Sequence, residues 1–195
     1  NEEIEDINGI AVTYNNIAFE YQGQGDISKA LEYYSNAAKY FEKCDNAHGV
    51  ATAYNNIGVV YESKNEYGLA LEYYFKALKS QENHKTIILA SIYNNIGVVY
   101  YEQNNFEKSI EYYLKAINLR KTIQGENNLK LAMLYFNIGN SYNDIGKEQT
   151  ALNYYNSLLN ILLKIFENEN LYYAKIYYAI ENVYTKKSDY FNAIE

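Results

Sequence analysis

The chain has 195 residues, with 17 Lys and Arg against 24 Asp and Glu and a formal net charge of −7. These values, together with 48% hydrophobic residues, are typical of a globular domain and exclude collagen-like, disulfide-rich and disordered chains. Because the lysines are scattered through an acidic sequence, we expect neither nucleic acid nor a membrane as the partner. The absence of Pro and the presence of 25 Tyr favour long helices with tyrosine rings between them.

The small numbers of cysteine and histidine residues limit the chemistry that the protein can perform and indicate the compartment in which we expect it. The one cysteine, Cys44, cannot form an internal disulfide, and no N-x-S/T sequon occurs, so we predict a cytoplasmic, reducing location. One Cys and two His do not make a metal-ligand set, and we expect no metal and no cofactor. The first residues do not form a signal peptide, and the apolar runs are shorter than a membrane span.

Two short segments alternate along the chain. The first segment spans 11–21 and recurs at 51–61, 90–100, 132–142 and 174–184, while the second spans 30–34 and recurs at 70–74, 109–113 and 151–155. The first segments start near 11, 51, 90, 132 and 174, with steps of 40, 39, 42 and 42 residues. A nearly fixed period of this kind indicates stacked structural repeats.

Both segments of a repeat have helical spacing. In the second repeat the small and apolar positions fall at i, i+3, i+4 and i+7, then at i, i+4 and i+7: Tyr54, Ile57, Gly58 and Tyr61, then Ala70, Tyr74 and Ala77. Polar turns separate the segments, and four residues stand where a helix N-cap is expected: Asp26, Asn65, Asn105 and Asp189. Each repeat is therefore predicted to be a helical hairpin that buries its outer surface against its neighbours.

These residues resemble the tetratricopeptide repeat (TPR) family, whose motif runs aromatic, Leu-Gly, Tyr, Ala, aromatic, Ala. The seven positions of the second repeat fill that motif in order, whereas Ala18 and Glu181 replace its Gly in the first and fifth repeats. The period of about 40–42 residues resembles the long-period, kinesin-light-chain-like subclass. The resemblance implies an all-α fold, a right-handed α-solenoid of stacked antiparallel helix hairpins. We expect residues 1–195 to be one fragment of a TPR array with an incomplete last repeat.

Sequence candidates for catalysis are weak. Cys44 and His48 are four residues apart, but no third group at motif spacing orients them, so a chance pair is the better interpretation. His84 stands alone in a connection, and the glycines of Gly23-Gln-Gly25 follow no strand, which favours a turn over a phosphate loop. We predict that the protein is not an enzyme.

The side of each first helix opposite the apolar positions is almost uncharged. Its residues are Val12, Asn15, Asn16 and Phe19; Thr52, Asn55, Asn56 and Val59; Ser91, Asn94, Asn95 and Val98; and Met133, Phe136, Asn137 and Asn140. A solvent-facing side usually collects Lys and Glu, so amides interspersed with apolar residues indicate contact with a partner.

In the family that the chain resembles, this side lines a concave groove in which an Asn from successive first helices grips the backbone of a peptide. Asn16, Asn56, Asn95 and Asn137 match that Asn, and Ala179 replaces it in the fifth repeat. A carboxamide both donates and accepts, so it can pair with any extended peptide. The alternative is that these amides only bond neighbouring helices. A carboxylate-binding clamp is disfavoured, because this side lacks Lys and Arg.

The predicted function is a scaffold for protein–protein interaction that binds a peptide segment of a partner in this groove. Two alternatives stay open. The array could be an architectural subunit of a large multiprotein assembly, or a peptide-sensing regulatory region of a larger enzyme or transcription regulator. The repeated tyrosine pairs, such as Tyr73-Tyr74, are predicted to pack between helices rather than stack on a ligand.

Overall fold

The computed structural model describes residues 2–81 and 85–165, together with residues 178 and 181. Over these residues the chain forms eight α-helices and no strand: α1 (Glu2–Gly23), α2 (Ile27–Lys43), α3 (Ala47–Ser63), α4 (Tyr67–Ser80), α5 (Ile87–Glu102), α6 (Phe106–Gln124), α7 (Leu129–Asp144) and α8 (Glu148–Ile165). The helices pack as adjacent hairpins, which confirms the predicted all-α class. The fifth repeat, predicted from residue 174, lies outside the described residues apart from 178 and 181, which are helical.

The turns inside the hairpins share one conformation. At equivalent positions Gly25, Asn65, Asn104 and Gly146 have positive φ angles of 80°, 59°, 57° and 72°, which glycine and asparagine adopt at low cost. Asn65, expected as an N-cap, is instead this left-handed residue, and the cap position of α4 falls to Glu66 without a side-chain bond. Asp26 and Asn105 cap α2 and α6 as predicted.

The second helix of each hairpin contributes a buried tyrosine. Tyr34, Tyr74, Tyr113 and Tyr155 are almost completely buried, as predicted for the second residue of each tyrosine pair. A side chain at Gly58 would overlap the ring of Tyr74, and one at Gly139 would overlap the ring of Tyr155. The glycine therefore permits the two helices to approach with a tyrosine ring between them.

The helices group into two compact units, residues 1–99 and residues 100–195. In unit 1, α2 of the first hairpin packs against α3 of the second through Ala37, Ala38 and Phe41, which contact Val50 and Ala53. The ring of Phe41 lies over Gly49, where a side chain would overlap it. This joint between the first two repeats is apolar.

In unit 2 the equivalent helices, α6 and α7, form the corresponding joint. Its interior contains a hydrogen bond of 2.9 Å between the hydroxyls of Ser109 and Ser141. Arg120, which occupies the position of Phe41, is buried, and burial lowers the pKa of its guanidinium. Arg120 donates from one terminal nitrogen to Gln124 Oε1 at 2.9 Å. The two joints thus use the same positions with different chemistry.

Candidate functional site

In unit 1 each of the first helices α1, α3 and α5 carries four of the predicted uncharged residues. We define the amide face as twelve residues of α1, α3 and α5: Val12, Asn15, Asn16, Phe19, Thr52, Asn55, Asn56, Val59, Ser91, Asn94, Asn95 and Val98. Helical spacing places the four residues of each helix on one side, because they recur at i, i+3, i+4 and i+7. No member of the set can carry a charge near neutral pH, so the groups that the face offers are hydrogen-bond donors and acceptors and apolar surface.

Hydrogen bonds join the amides of neighbouring first helices. Asn56 donates from Nδ2 to Oδ1 of Asn15 at 3.1 Å, and Asn95 donates from Nδ2 to Oδ1 of Asn55 at 3.0 Å. Within α5, Asn94 donates to Oδ1 of Asn95 at 3.1 Å. Asn55 is only 8% exposed, so it supports the packing of α3 against α5 more than it offers a surface. Part of the predicted binding row therefore also holds the repeats together.

These bonds leave hydrogen-bonding groups on Asn16, Asn56 and Asn95. A carboxamide carries two N–H donors and an oxygen with two lone pairs, and each bond between helices uses one donor and one lone pair. Asn16 is exposed, while Asn56 and Asn95 are half-buried. The face can therefore keep its internal bonds and still pair with the backbone of a ligand.

Apolar side chains accompany the amides. Phe19 is 66% exposed and Val12 is 43% exposed, and Val59 and Val98 stand at the position of Phe19 in α3 and α5. The hydroxyl of Thr52 donates to its own helix, at the His48 carbonyl, with a distance of 2.9 Å. An exposed phenylalanine beside amides that keep unused donors is suited to a peptide with an apolar side chain.

In unit 2 the equivalent residues of α7 are only partly available. Met133 is 49% exposed, and Asn137 is half-buried. Asn140, however, accepts a hydrogen bond of 2.6 Å from the Tyr155 hydroxyl. The ring of Phe136 lies 6.1 Å from that of Tyr155, so it packs towards the hairpin interior. Two of these four residues are therefore engaged within the α7–α8 hairpin.

Between α2, α3 and α4 lies a groove that the repeat pattern did not indicate. Its volume is about 540 Å³, and its lining includes Glu42, Tyr54, Lys76 and Lys79. The Tyr54 hydroxyl donates to Glu42 Oε1 at 2.8 Å. Burial and this neighbouring carboxylate raise the pKa of Tyr54 to about 12. Sequence analysis missed the pair because the two residues lie 12 positions apart on different helices.

The structure places Cys44 at the end of α2 and His48 in the first turn of α3. The Cys44 thiol donates to the Phe41 carbonyl at 3.4 Å, and His48 is exposed on α3. No group of three or more His, Cys, Asp or Glu side chains able to hold a metal occurs among the residues that the structure describes. In that part of the chain no helix combines the length and apolarity needed to cross a membrane.

The repeat pattern and the hairpin stack define a class of protein built from helical repeats. The sequence model of the tetratricopeptide repeat family matches residues 9–83 and 88–164. The chain therefore belongs to the tetratricopeptide repeat family. Members of this family are generally modules for protein–protein interaction and generally act without catalysis. A comparison with curated proteins finds no match.

Solved structures share the fold at low sequence identity. BtubC (BKLC) from P. vanneervenii is 24% identical with a TM-score of 0.72, over 82% of this chain and 66% of that chain. PilF of Pseudomonas aeruginosa is 20% identical with a TM-score of 0.71, over 95% and 72%. The apo form of RapI is 18% identical with a TM-score of 0.77, over 93% and 69%. These likenesses establish the architecture alone.

Proposed function

We propose that this protein is a non-catalytic interaction scaffold whose amide face binds an extended peptide segment of a partner protein. The observation that carries the proposal is the uncharged face itself, in which unused amide donors and acceptors stand beside the exposed ring of Phe19. Backbone pairing would supply affinity for any extended segment, and Phe19 would favour segments with an apolar side chain. A groove of this composition would bind with little dependence on salt.

A selection experiment tests the location of the site. A displayed library of random linear peptides is selected on the wild-type protein, and the recovered peptides are titrated against Phe19→Asp. We expect Phe19→Asp to weaken them at least about tenfold, because a carboxylate would be desolvated on binding. The matched control is Leu69→Asp on α4, where a side chain of similar size is 39% exposed. Peptides that respond to Leu69→Asp but not to Phe19→Asp would place the site elsewhere.

The amides can be tested separately from the packing of the repeats. Asn16 is exposed and takes no part in the bonds between α1, α3 and α5 described above, so Asn16→Ala should leave the melting temperature nearly unchanged. Loss of one peptide hydrogen bond, about 0.5–1.5 kcal/mol, should weaken the selected peptides roughly 2- to 13-fold. Asn56→Ala should lower both affinity and stability, because Asn56 also donates to Asn15. Full affinity in both variants would leave the amides with a structural role only.

Two finer points belong to the same proposal. The repeat steps of 39 to 42 residues support membership of the long-period, kinesin-light-chain-like subclass. In the third repeat the second helix, α6, has 19 residues, whereas α4 of the second repeat has 14. A cytoplasmic location remains a prediction, which fluorescence imaging of the tagged protein in its own cells would test.

A further inference from the structure

The groove between α2, α3 and α4 has walls of opposite charge. The α2 wall carries Glu42 at the end of the helix and Asp45 in the turn that follows, and the α4 wall carries Lys76 and Lys79. All four residues are exposed. We call the space between these walls, with its floor on α3, the charged groove. Its volume of about 540 Å³ lies within the range of about 300–1,000 Å³ that is usual for ligand pockets.

The floor of the charged groove is apolar. It is formed by α3, where Val50 is buried and Ala47 and Tyr54 are half-buried. The Tyr54 hydroxyl donates to Oε1 of Glu42, and the carboxylate has further lone pairs for another donor. From α2 across α3 to α4, the groove therefore offers hydrogen-bond acceptors, an apolar surface and hydrogen-bond donors in that order.

The charges of both walls are accessible to a ligand. Within residues 2–81 and 85–165, neither Asp45 nor Lys79 forms an ion pair with another residue of these ranges. Lys76 Nζ lies 2.7 Å from Glu72 Oε1, but the two side chains are 45% and 53% exposed, and exposed pairs of this kind contribute little to stability. A carboxylate in the groove can therefore bind both lysines at little cost to the fold.

The equivalent groove of unit 2 has a different charge pattern. There Lys121 takes the position of Glu42, and the positions of the two lysines hold Ser157 and Asn160. Lys121 Nζ lies 3.1 Å from Glu126 Oε1, and the groove has a volume of about 240 Å³. The opposed charges are therefore a property of the first two repeats and not a consequence of the repeat pattern.

Walls of opposite charge favour a ligand that carries both signs. A free amino acid has both charges on one carbon atom, whereas an extended peptide advances about 3.3–3.6 Å per residue and can hold two charged side chains apart. We propose that the charged groove binds an extended segment of a partner protein in which apolar residues separate a basic from an acidic side chain. The basic side chain pairs with the α2 wall, the apolar residues lie on the α3 floor, and the acidic side chain pairs with the α4 wall.

The probes are capped, fluorescein-labelled tetrapeptides with arginine at one end, glutamate at the other and leucine at both inner positions, made in both orders. Each is titrated into the 195-residue chain by fluorescence anisotropy. We expect at least one order to bind saturably below about 1 mM. The same peptide with glutamine at both ends should bind at least about tenfold more weakly. Salt at about 0.5 M should remove most of that difference by screening the charges.

Charge reversal on one wall locates the peptide. Lys79→Glu should weaken the peptide about three- to tenfold and tighten a peptide with arginine at both ends by a similar factor. Lys147→Glu is the matched control, because Lys147 is an exposed lysine of unit 2 and the two variants have the same net charge. Glu42→Lys, which matches the residue type of unit 2 at this position, should favour a peptide with glutamate at both ends. Circular dichroism checks that the variants stay folded.

The charged groove and the amide face can be distinguished in the same assay. They use different sides of α3, so Phe19→Asp should leave the affinity of the tetrapeptide unchanged. Failure of one proposal therefore does not decide the other.

Three results would overturn the proposal. The first is the absence of saturable binding by either order of the charged peptide. The second is equal weakening by Lys79→Glu and Lys147→Glu, which would mean that only the net charge of the protein matters. The third is displacement of the peptide by an equal concentration of free leucine, which would make an amino acid the ligand.

Discussion

The α2–α3 joint in unit 1 and the α6–α7 joint in unit 2 pack equivalent helices against each other with different side chains. In the first, Phe41 lies over Gly49 and Val50 and Ala53 are buried beside it. In the second, the position of Phe41 holds Arg120, that of Gly49 holds Lys130, and two serines bond across the joint. Equivalent positions in the contacts between successive repeats thus carry different residue types in the two units.

The interiors of the α3–α4 hairpin in unit 1 and the α7–α8 hairpin in unit 2, by contrast, are built alike. A glycine of the first helix meets a buried tyrosine of the second, as in Gly58 with Tyr74 and Gly139 with Tyr155. The hydroxyl partner differs, because Tyr74 donates to Glu62 at 2.5 Å and Tyr155 donates to Asn140 at 2.6 Å. The ring position is therefore fixed, while the acceptor can come from either of two turns of the first helix.

The largest effect is expected from Phe41→Ala, which removes the ring that fills the apolar joint. Phe41 is 4% exposed, and truncation of such a residue costs about 3–5 kcal/mol. Denaturant unfolding measures the change in the free energy of unfolding. Phe19→Ala is the control, because the exposed ring of Phe19 should contribute within about 0.5 kcal/mol. Equal losses for the two variants would show that the α2–α3 joint does not depend on Phe41.

A smaller and equal effect is expected from Gly58→Leu and Gly139→Leu. Each new side chain would overlap a buried tyrosine ring, and overpacking of this kind costs about 1–3 kcal/mol. Thermal unfolding of both variants, with Gly68→Leu as the exposed control, tests whether hairpin closure is the same in the two units. A loss in one variant only would mean that one hairpin can move its tyrosine aside.

The smallest effects are expected at the hydrogen bond between Ser109 and Ser141 in the α6–α7 joint. Ser141 also donates to the Asn137 carbonyl at 3.3 Å, so Ser109→Ala leaves it a partner. Ser141→Ala, in contrast, takes away the partner that the Ser109 hydroxyl has among the described residues. We expect Ser141→Ala to cost about 1 kcal/mol, Ser109→Ala less, and the double variant to be nearly neutral. A double-mutant cycle by denaturant unfolding measures the coupling. Additive losses would mean that the two hydroxyls do not act as a pair.

Several features could be predicted from the sequence because they depend on local spacing. The period, the two helices of each repeat, the burial of Tyr34 and Tyr74 and the tight position of Gly58 follow from the 3.6-residue period of a helix. The uncharged side chains of the amide face could be listed in the same way. The predicted N-cap role of Asn65 was wrong. Asparagine suits both an N-cap and a left-handed turn, and the structure places Asn65 at the left-handed position, one residue before the cap of α4.

The sequence by itself determined the repeat architecture and the family, since a pattern that recurs every 39 to 42 residues needs no knowledge of distant contacts. Only the tertiary structure decided which amides bond neighbouring helices and that Asn140 accepts from Tyr155. Those outcomes depend on which side chains from different helices meet within hydrogen-bonding or van der Waals distance. Residues 40 positions apart, such as Asn55 and Asn95, become partners only when the repeats stack.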